Sequence, residues 1–179
     1  MGGHDGRGTE HDDIDALAAS LGRELGARGL SVTTAESCTG GLIAGAITSI
    51  AGSSGWFSEG YVTYADAAKR TLTGVPAETL EAHGAVSEPT VAAMARGALE
   101  RSGADVAIAA SGIAGPGGAV PGKPVGTVWL GVAVRAGQGA AGARGATVTS
   151  VRHRFDGDRA AVRRRAVAEG LRATLSALP

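Results

Sequence analysis

The 179-residue chain has one cysteine, two lysines, six aromatic residues and no surplus of either charge. A lone cysteine, Cys38, excludes an internal disulfide framework and a thiolate metal cage. Zero formal net charge with so few rings argues against nucleic acid as the main partner. Neutralising phosphates needs a basic field, and holding bases needs stacking platforms. No apolar run approaches the ~18 residues of a membrane helix, so no membrane contact is expected. Met1 to Asp12 is rich in Gly, His and acid and lacks the apolar stretch of a secretion signal. We therefore expect a disordered tail over residues 1–12, then a single domain over 13–179 in the cytoplasm, long enough to bury a core. None of the four histidines (His4, His11, His83, His153) has the partner spacing of a metal site or a Ser-His-Asp triad. No cofactor and no metal are expected.

The scarcity of lysine draws attention to the two that are present. All other basic residues are Arg, leaving Lys69 and Lys123. Arg cannot be deprotonated in a protein, whereas Lys can be tuned to a neutral amine that accepts a proton. Lys69 lies fifteen residues after Ser54, in the turn Gly52-Ser53-Ser54, and Ser with a nearby Lys is a minimal nucleophile-and-base pair. On spacing alone, an ordinary solvated helix residue is the plainer reading of Lys69.

Helical and extended patterns alternate along the chain. Ile14, Leu17, Leu21 and Leu25 recur at helical spacing, with Asp12 or Asp13 as N-cap and Gly29 just past the end. Leu30 to Ala35 reads as a strand running into the turn Glu36-Ser37-Cys38-Thr39-Gly40-Gly41. A second helix then carries Leu42, Ile43, Ala46, Ile47 and Ile50 on its inner face and breaks at Ala51 to Gly55. Trp56 to Ala65 looks extended, and a short helix follows with Lys69. Val75-Pro76 opens another short helix that stops at Gly84, and Ser87 caps a longer one closed by Gly103. Strands are expected at Asp105–Ala110, Val125–Val134 and Thr147–Phe155, the last two joined by a Gly/Ala-rich hairpin loop. A final helix opens at Asp156 or Asp158, with Val167, Leu171, Leu175 and Leu178 facing the core. Interleaved helices and strands predict an α/β fold with helices on both faces, and the adjacent late strands predict a mixed sheet.

Three segments could carry chemistry. The turn at residues 36–41 would present backbone N–H groups and hydroxyls at a helix N-terminus, which suits an anion or a sugar. An ordinary N-cap by Ser37 or Thr39 explains it equally well. The Gly/Pro-rich stretch from Gly112 to Gly126 precedes a strand, so it fits neither a Walker loop nor a dinucleotide fingerprint, both of which need a following helix. Arg159 falls in the first turn of the last helix, where the dipole favours a negative partner; a bound phosphate or Asp156 would serve. Arg163-Arg164-Arg165 reads as a solvated face, and His83 and His153 as cap and surface residues.

Together these segments resemble the C-terminal domain of the competence/damage-inducible protein CinA. The resemblance rests on Thr34 to Gly41, Gly52-Ser53-Ser54, Tyr64 with Lys69, and Gly84-Ala85-Val86-Ser87. It extends through Ser111 to Pro116, Lys123 to Gly126 and Phe155 to Arg159, in order from about residue 13 to the C-terminus. It implies a three-layer α/β/α fold and a homodimer. It also implies the activity of the family's stand-alone members, nicotinamide-nucleotide amidases of pyridine-nucleotide salvage. These convert nicotinamide mononucleotide, a small-molecule substrate, to nicotinate mononucleotide and ammonia. The nucleotide-pyrophosphatase domain that precedes this one in full-length CinA is missing from the sequence, as in the stand-alone form. The sequence departs from the family pattern at Ser111, usually Thr, and at Ala65-Asp66-Ala67, commonly Ser-Asn-Glu. Phe57 to Gly60 interrupts a usual Gly pair, and Gly137 to Gly145 looks like an insertion.

Carried onto these positions, the expected mechanism has Ser54 as nucleophile, Lys69 as base, and Tyr64 relaying or orienting the proton. Backbone N–H groups around Ser53 and Ser54 would hold the oxyanion; one such donor is typically worth about 3 kcal/mol. Ser37, Thr39, Gly40, Ser53 and Ser111 are expected to bind substrate, with Arg159 on the phosphate. Ser53 and Ser37 stay open as rival nucleophiles. The competing class is a non-catalytic nucleotide-binding module linked to competence or the DNA-damage response.

Overall fold

A computed structural model describes residues 7–136 and 145–179 of the chain. The elements, in order, are α1 (Arg7–Arg28), β1 (Val32–Glu36), α2 (Leu42–Thr48), a 3-10 turn (Ser53–Gly55) and β2 (Phe57–Val62). There follow α3 (Asp66–Thr73), α4 (Ala77–His83), α5 (Glu88–Ser102), β3 (Val106–Gly112), β4 (Thr127–Arg135), β5 (Ala146–Arg154) and α6 (Arg159–Ala177). Helix α1 thus begins ahead of the cap expected at Asp12 or Asp13. Residues 1–6 of the expected tail, and the Gly/Ala-rich connection apart from Gly145, lie outside the described residues.

The five strands form one sheet in the order β2-β1-β3-β4-β5. β1 runs parallel to both β2 and β3, whereas β4 and β5 are antiparallel neighbours, so the sheet is mixed. Helices α1, α2 and α6 cover one face. α5 covers the other, with α3 and α4 packed against it. The fold is three-layer α/β/α, as the interleaved pattern predicts. Among the described residues, no helix is long and apolar enough to cross a membrane.

Strand alternation sorts side chains between the two layers. Val106, Ile108 and Ala110 of β3 join Val128, Leu130 and Val132 of β4 beneath α1, α2 and α6. Each fully buried Val, Leu or Ile there contributes on the order of 2 kcal/mol. The opposite face is floored by Ala35, Ala107, Ala109 and Ala133, and this lack of bulk lets α5 lie close. A Cβ on Gly131 would stand 3.0 Å from the Val91 carbonyl oxygen, and one on Gly97 of α5 would collide with the Thr73 carbonyl that ends α3. Glycine at 97 therefore sets how near the Lys69 helix approaches α5.

Local signals set the helix limits. The Ser87 hydroxyl caps α5 at the Thr90 N–H, Pro89 occupies its first turn, and Gly103 stops it in the left-handed conformation. Asp158 rather than Asp156 caps α6, its Oδ1 accepting from the Ala161 N–H at 2.8 Å. Helix α2 differs from expectation in one place. Ile43 and Ile47 are buried, but Leu42 is 40% exposed and faces outward, because its position is one residue ahead of the inward i, i+4 pair.

Candidate active site

Residues from five segments meet near the carboxyl ends of the parallel strands, the side where ligands gather in open α/β sheets. They enclose a cavity of about 200 Å³ lined by Ser37, Cys38, Tyr64, Asp66, Lys69, Ala85, Val86, Ser111, Gly112, Ala114 and Arg159. Two larger hollows lie elsewhere, one of about 350 Å³ between α1 and α6 and one of about 460 Å³ among α1, α2 and α6. Neither is lined by lysine, histidine or cysteine, so the smaller one holds the candidate chemistry.

Ser37 directly follows β1, and its N–H bonds to the Ala110 carbonyl at 2.8 Å, tying it to the neighbouring strand β3. The turn after it is shaped by Glu36, whose carboxylate is fully buried. Its Oε2 accepts from the N–H groups of Gly41 (2.9 Å) and Ile43 (3.0 Å), and its Oε1 from Ala44 (2.8 Å). These are the orphan donors of a helix start. The anion site expected at the head of α2 is thus filled by the chain's own carboxylate. Gly41, at φ 93°, lets the chain fold over it.

Lys69 is 1% exposed. Its Nζ donates to the carbonyl oxygens of Thr63 (3.1 Å) and Tyr64 (3.2 Å) and stands 3.3 Å from Asp66 Oδ1. The solvated-helix reading of Lys69 is therefore wrong. Burial has a different effect on Cys38, where loss of solvent pushes the thiol up to about 12. Backbone N–H groups and the Arg163 charge oppose that rise, and the Glu36 charge adds to it. Such a thiol is not the nucleophile at neutral pH. The Ser111 hydroxyl is fully buried and donates to the Ala85 carbonyl at 2.7 Å. On the rim, Arg159 donates from Nη1 to the Gly115 carbonyl (3.0 Å) and from Nη2 to the Tyr64 hydroxyl (2.9 Å).

Of the residues expected from sequence, Ser37, Tyr64, Lys69, Ser111 and Arg159 come together here. Ser53 and Ser54 do not. Their turn sits at the amino end of β2, beside the point where the Val32 N–H meets the Trp56 carbonyl, while Lys69 follows the carboxyl end of the same strand. At about 3.3 Å per residue, β2 alone carries the chain ~20 Å across the sheet between them. Fifteen residues of sequence spacing therefore mean opposite ends of the sheet, which takes Ser54 out of reach of Lys69.

The Tyr64 phenol points to Arg159 rather than Lys69, which it meets through its carbonyl. Thr39 and Gly40 belong to the turn and do not line the cavity. The Thr39 hydroxyl is buried without a partner among the described residues, and Gly40 adopts φ 60°. Glu36, Asp66 and Arg163 were missed as contributors. A charged residue ending a buried strand was the available signal for Glu36. Spacing of four from Arg159, which places both on one helix face, was the signal for Arg163. Far from being solvated, Arg163 donates to the carbonyls of Cys38 and Thr39.

Comparison with known proteins bears on the family and the fold. The model of the CinA C-terminal domain matches residues 14–178. The Escherichia coli K12 protein named nicotinamide-nucleotide amidohydrolase PncC is 53% identical over 159 residues, covering 89% of this chain and 91% of that protein. A putative competence-damage inducible protein of Symbiobacterium thermophilum is 52% identical over 93% of this chain, which spans only 39% of that longer protein. The crystal structure of the competence/damage inducible protein CihA from Agrobacterium tumefaciens superposes with a TM-score of 0.83 at 43% identity, covering 98% of both chains. The chain therefore belongs to the CinA C-terminal domain family.

Proposed function

We propose that the protein is an amidohydrolase that deamidates nicotinamide mononucleotide, a step of pyridine-nucleotide salvage, with Ser37 as nucleophile and Lys69 as base. The observation that carries this reading is that a serine hydroxyl and a buried lysine amine line one cavity at the carboxyl ends of β1 and β2. The name of the E. coli relative supplies the substrate class.

The Ser37 hydroxyl attacks the carboxamide carbon while Lys69, as the free amine, takes its proton. The tetrahedral adduct expels ammonia, which leaves with that proton and breaks the C–N bond. Water then hydrolyses the nicotinoyl ester, releasing nicotinate mononucleotide and restoring the serine. A neutral amine can donate to the Thr63 and Tyr64 carbonyls and keep its lone pair for the hydroxyl. Substrate helps here, because a pyridinium ring in the cavity repels an ammonium. In this reading Ser111 and Arg159 bind the ribose and phosphate, with Tyr64 orienting Arg159.

A second reading, a nucleotide-binding module without catalysis, is favoured by one detail. The three oxygens around Lys69 Nζ match the three donors of an ammonium, which would leave no lone pair. Ammonia release from nicotinamide mononucleotide decides between the two. Wild type should release ammonia and Lys69→Ala should not; a wild type that binds the nucleotide but releases no ammonia leaves only the binding module.

A further inference from the structure

Helix α6 reaches the Ser37 turn through a side chain that no step above uses. Arg163 lies one helical turn beyond Arg159 and is half-buried. Its Nε donates to the Cys38 carbonyl at 3.1 Å and its Nη2 to the Thr39 carbonyl at 2.8 Å. The planar fork of a guanidinium suits two successive carbonyls, which a lysine ammonium cannot match. The approach is close: a Cβ on Gly40 would stand 3.3 Å from Arg163 Nη2.

We infer that Arg163 is a positioning residue for the nucleophile, holding the turn that presents Ser37; this rests on the assignment of Ser37 proposed above. In a trans peptide the C=O and N–H point opposite ways. Pinning the carbonyls of Cys38 and Thr39 toward α6 therefore fixes the direction of the next two N–H groups. One of these, Gly40 N–H, closes onto the Ser37 carbonyl at 3.1 Å, so the grip reaches the residue that bears the hydroxyl. From the other side the Glu36 carboxylate holds Gly41, Ile43 and Ala44. The turn is clamped through its backbone, since the Thr39 hydroxyl has no partner among the described residues.

The test compares full-length wild type, Arg163→Lys and Arg163→Ala. It reads thermal unfolding, ammonia release from nicotinamide mononucleotide, and the rate at which a fluorophosphonate labels Ser37, followed by mass spectrometry. The labelling needs no amide substrate. The expected result is a folded Arg163→Lys whose kcat falls about tenfold to a hundredfold, with KM nearly unchanged and Ser37 labelling slowed in step. Added guanidinium ion should restore part of both rates in Arg163→Ala; if that variant does not fold, Arg163→Lys alone carries the test. A folded Arg163→Lys with wild-type kcat and labelling overturns the inference. A wild type that labels at Ser37 but releases no ammonia removes only the substrate assignment, and the labelling comparison still decides the role of Arg163. A wild type that does neither removes the Ser37 reading and this inference with it.

Discussion

The Ser37 turn and the Ser53–Ser54 turn are both short and rich in glycine, yet the chain holds them differently. The first is gripped by charged side chains from β1 and α6 and opens onto a cavity. The second, among the described residues, is closed by the backbone bonds of Ser53 N–H to Ile50, Gly55 N–H to Gly52 and Trp56 N–H to Ser53, and Ser54 faces solvent. A turn that only reverses the chain needs glycine and little else. One that must hold a hydroxyl still needs its backbone groups satisfied from outside as well.

That contrast can be broken in several places. The largest effect belongs to the serines. Ser37→Ala should lower ammonia release from nicotinamide mononucleotide by a thousandfold or more, roughly 4 kcal/mol in transition-state terms. Ser54→Ala should stay within about twofold of wild type; the reverse outcome would return the chemistry to the amino end of β2. Next is the Glu36 clamp. Glu36→Ala strands three N–H donors and should cost about 3 kcal/mol in urea unfolding, against at most ~0.5 for Ser53→Ala.

A smaller effect comes from Cys38. Its thiol is raised from 9.0 to about 12 by burial, so in the folded state it resists ionising where the unfolded chain does not. The stability tied to the neutral thiol is complete below about pH 9 and declines as pH climbs toward about 12. Between pH 7 and 10 wild type should lose on the order of 1 kcal/mol more than Cys38→Ala, measured by urea unfolding at both values. The smallest belongs to Asp66, whose side chain is 62% exposed and only 3.3 Å from Lys69 Nζ. Asp66→Asn keeps an oxygen beside the amine and removes only an exposed charge, so kcat should change by no more than about fivefold.

Much of the frame was legible in sequence because its signals are local. Ser87 and Gly103 bracket α5 where the pattern puts them, and the interleaved elements give the mixed three-layer sheet. Tyr64, Lys69, Ser111 and Arg159 were recognisable by resemblance and do line one cavity. What sequence spacing could not supply was direction through space. Ser54 and Lys69 are near in sequence but bracket a strand that crosses the sheet, whereas Ser37 and Lys69 are farther apart and meet because β1 and β2 run parallel. Arg163 was hidden for a related reason: its spacing from Arg159 hints at a shared face, but it is the packing of α6 on α2 that brings its guanidinium onto the Ser37 turn.

Gly97 has a bearing on how such a pocket could be remodelled. Because the end of α3 nests into the gap that this residue leaves in α5, the amine at position 69 is carried on a seat that will not slide. Libraries aimed at new amides would gain little by trying to shift that seat. The freedom lies instead across the opening, at Ala85 and Val86, which line the cavity and are only partly buried.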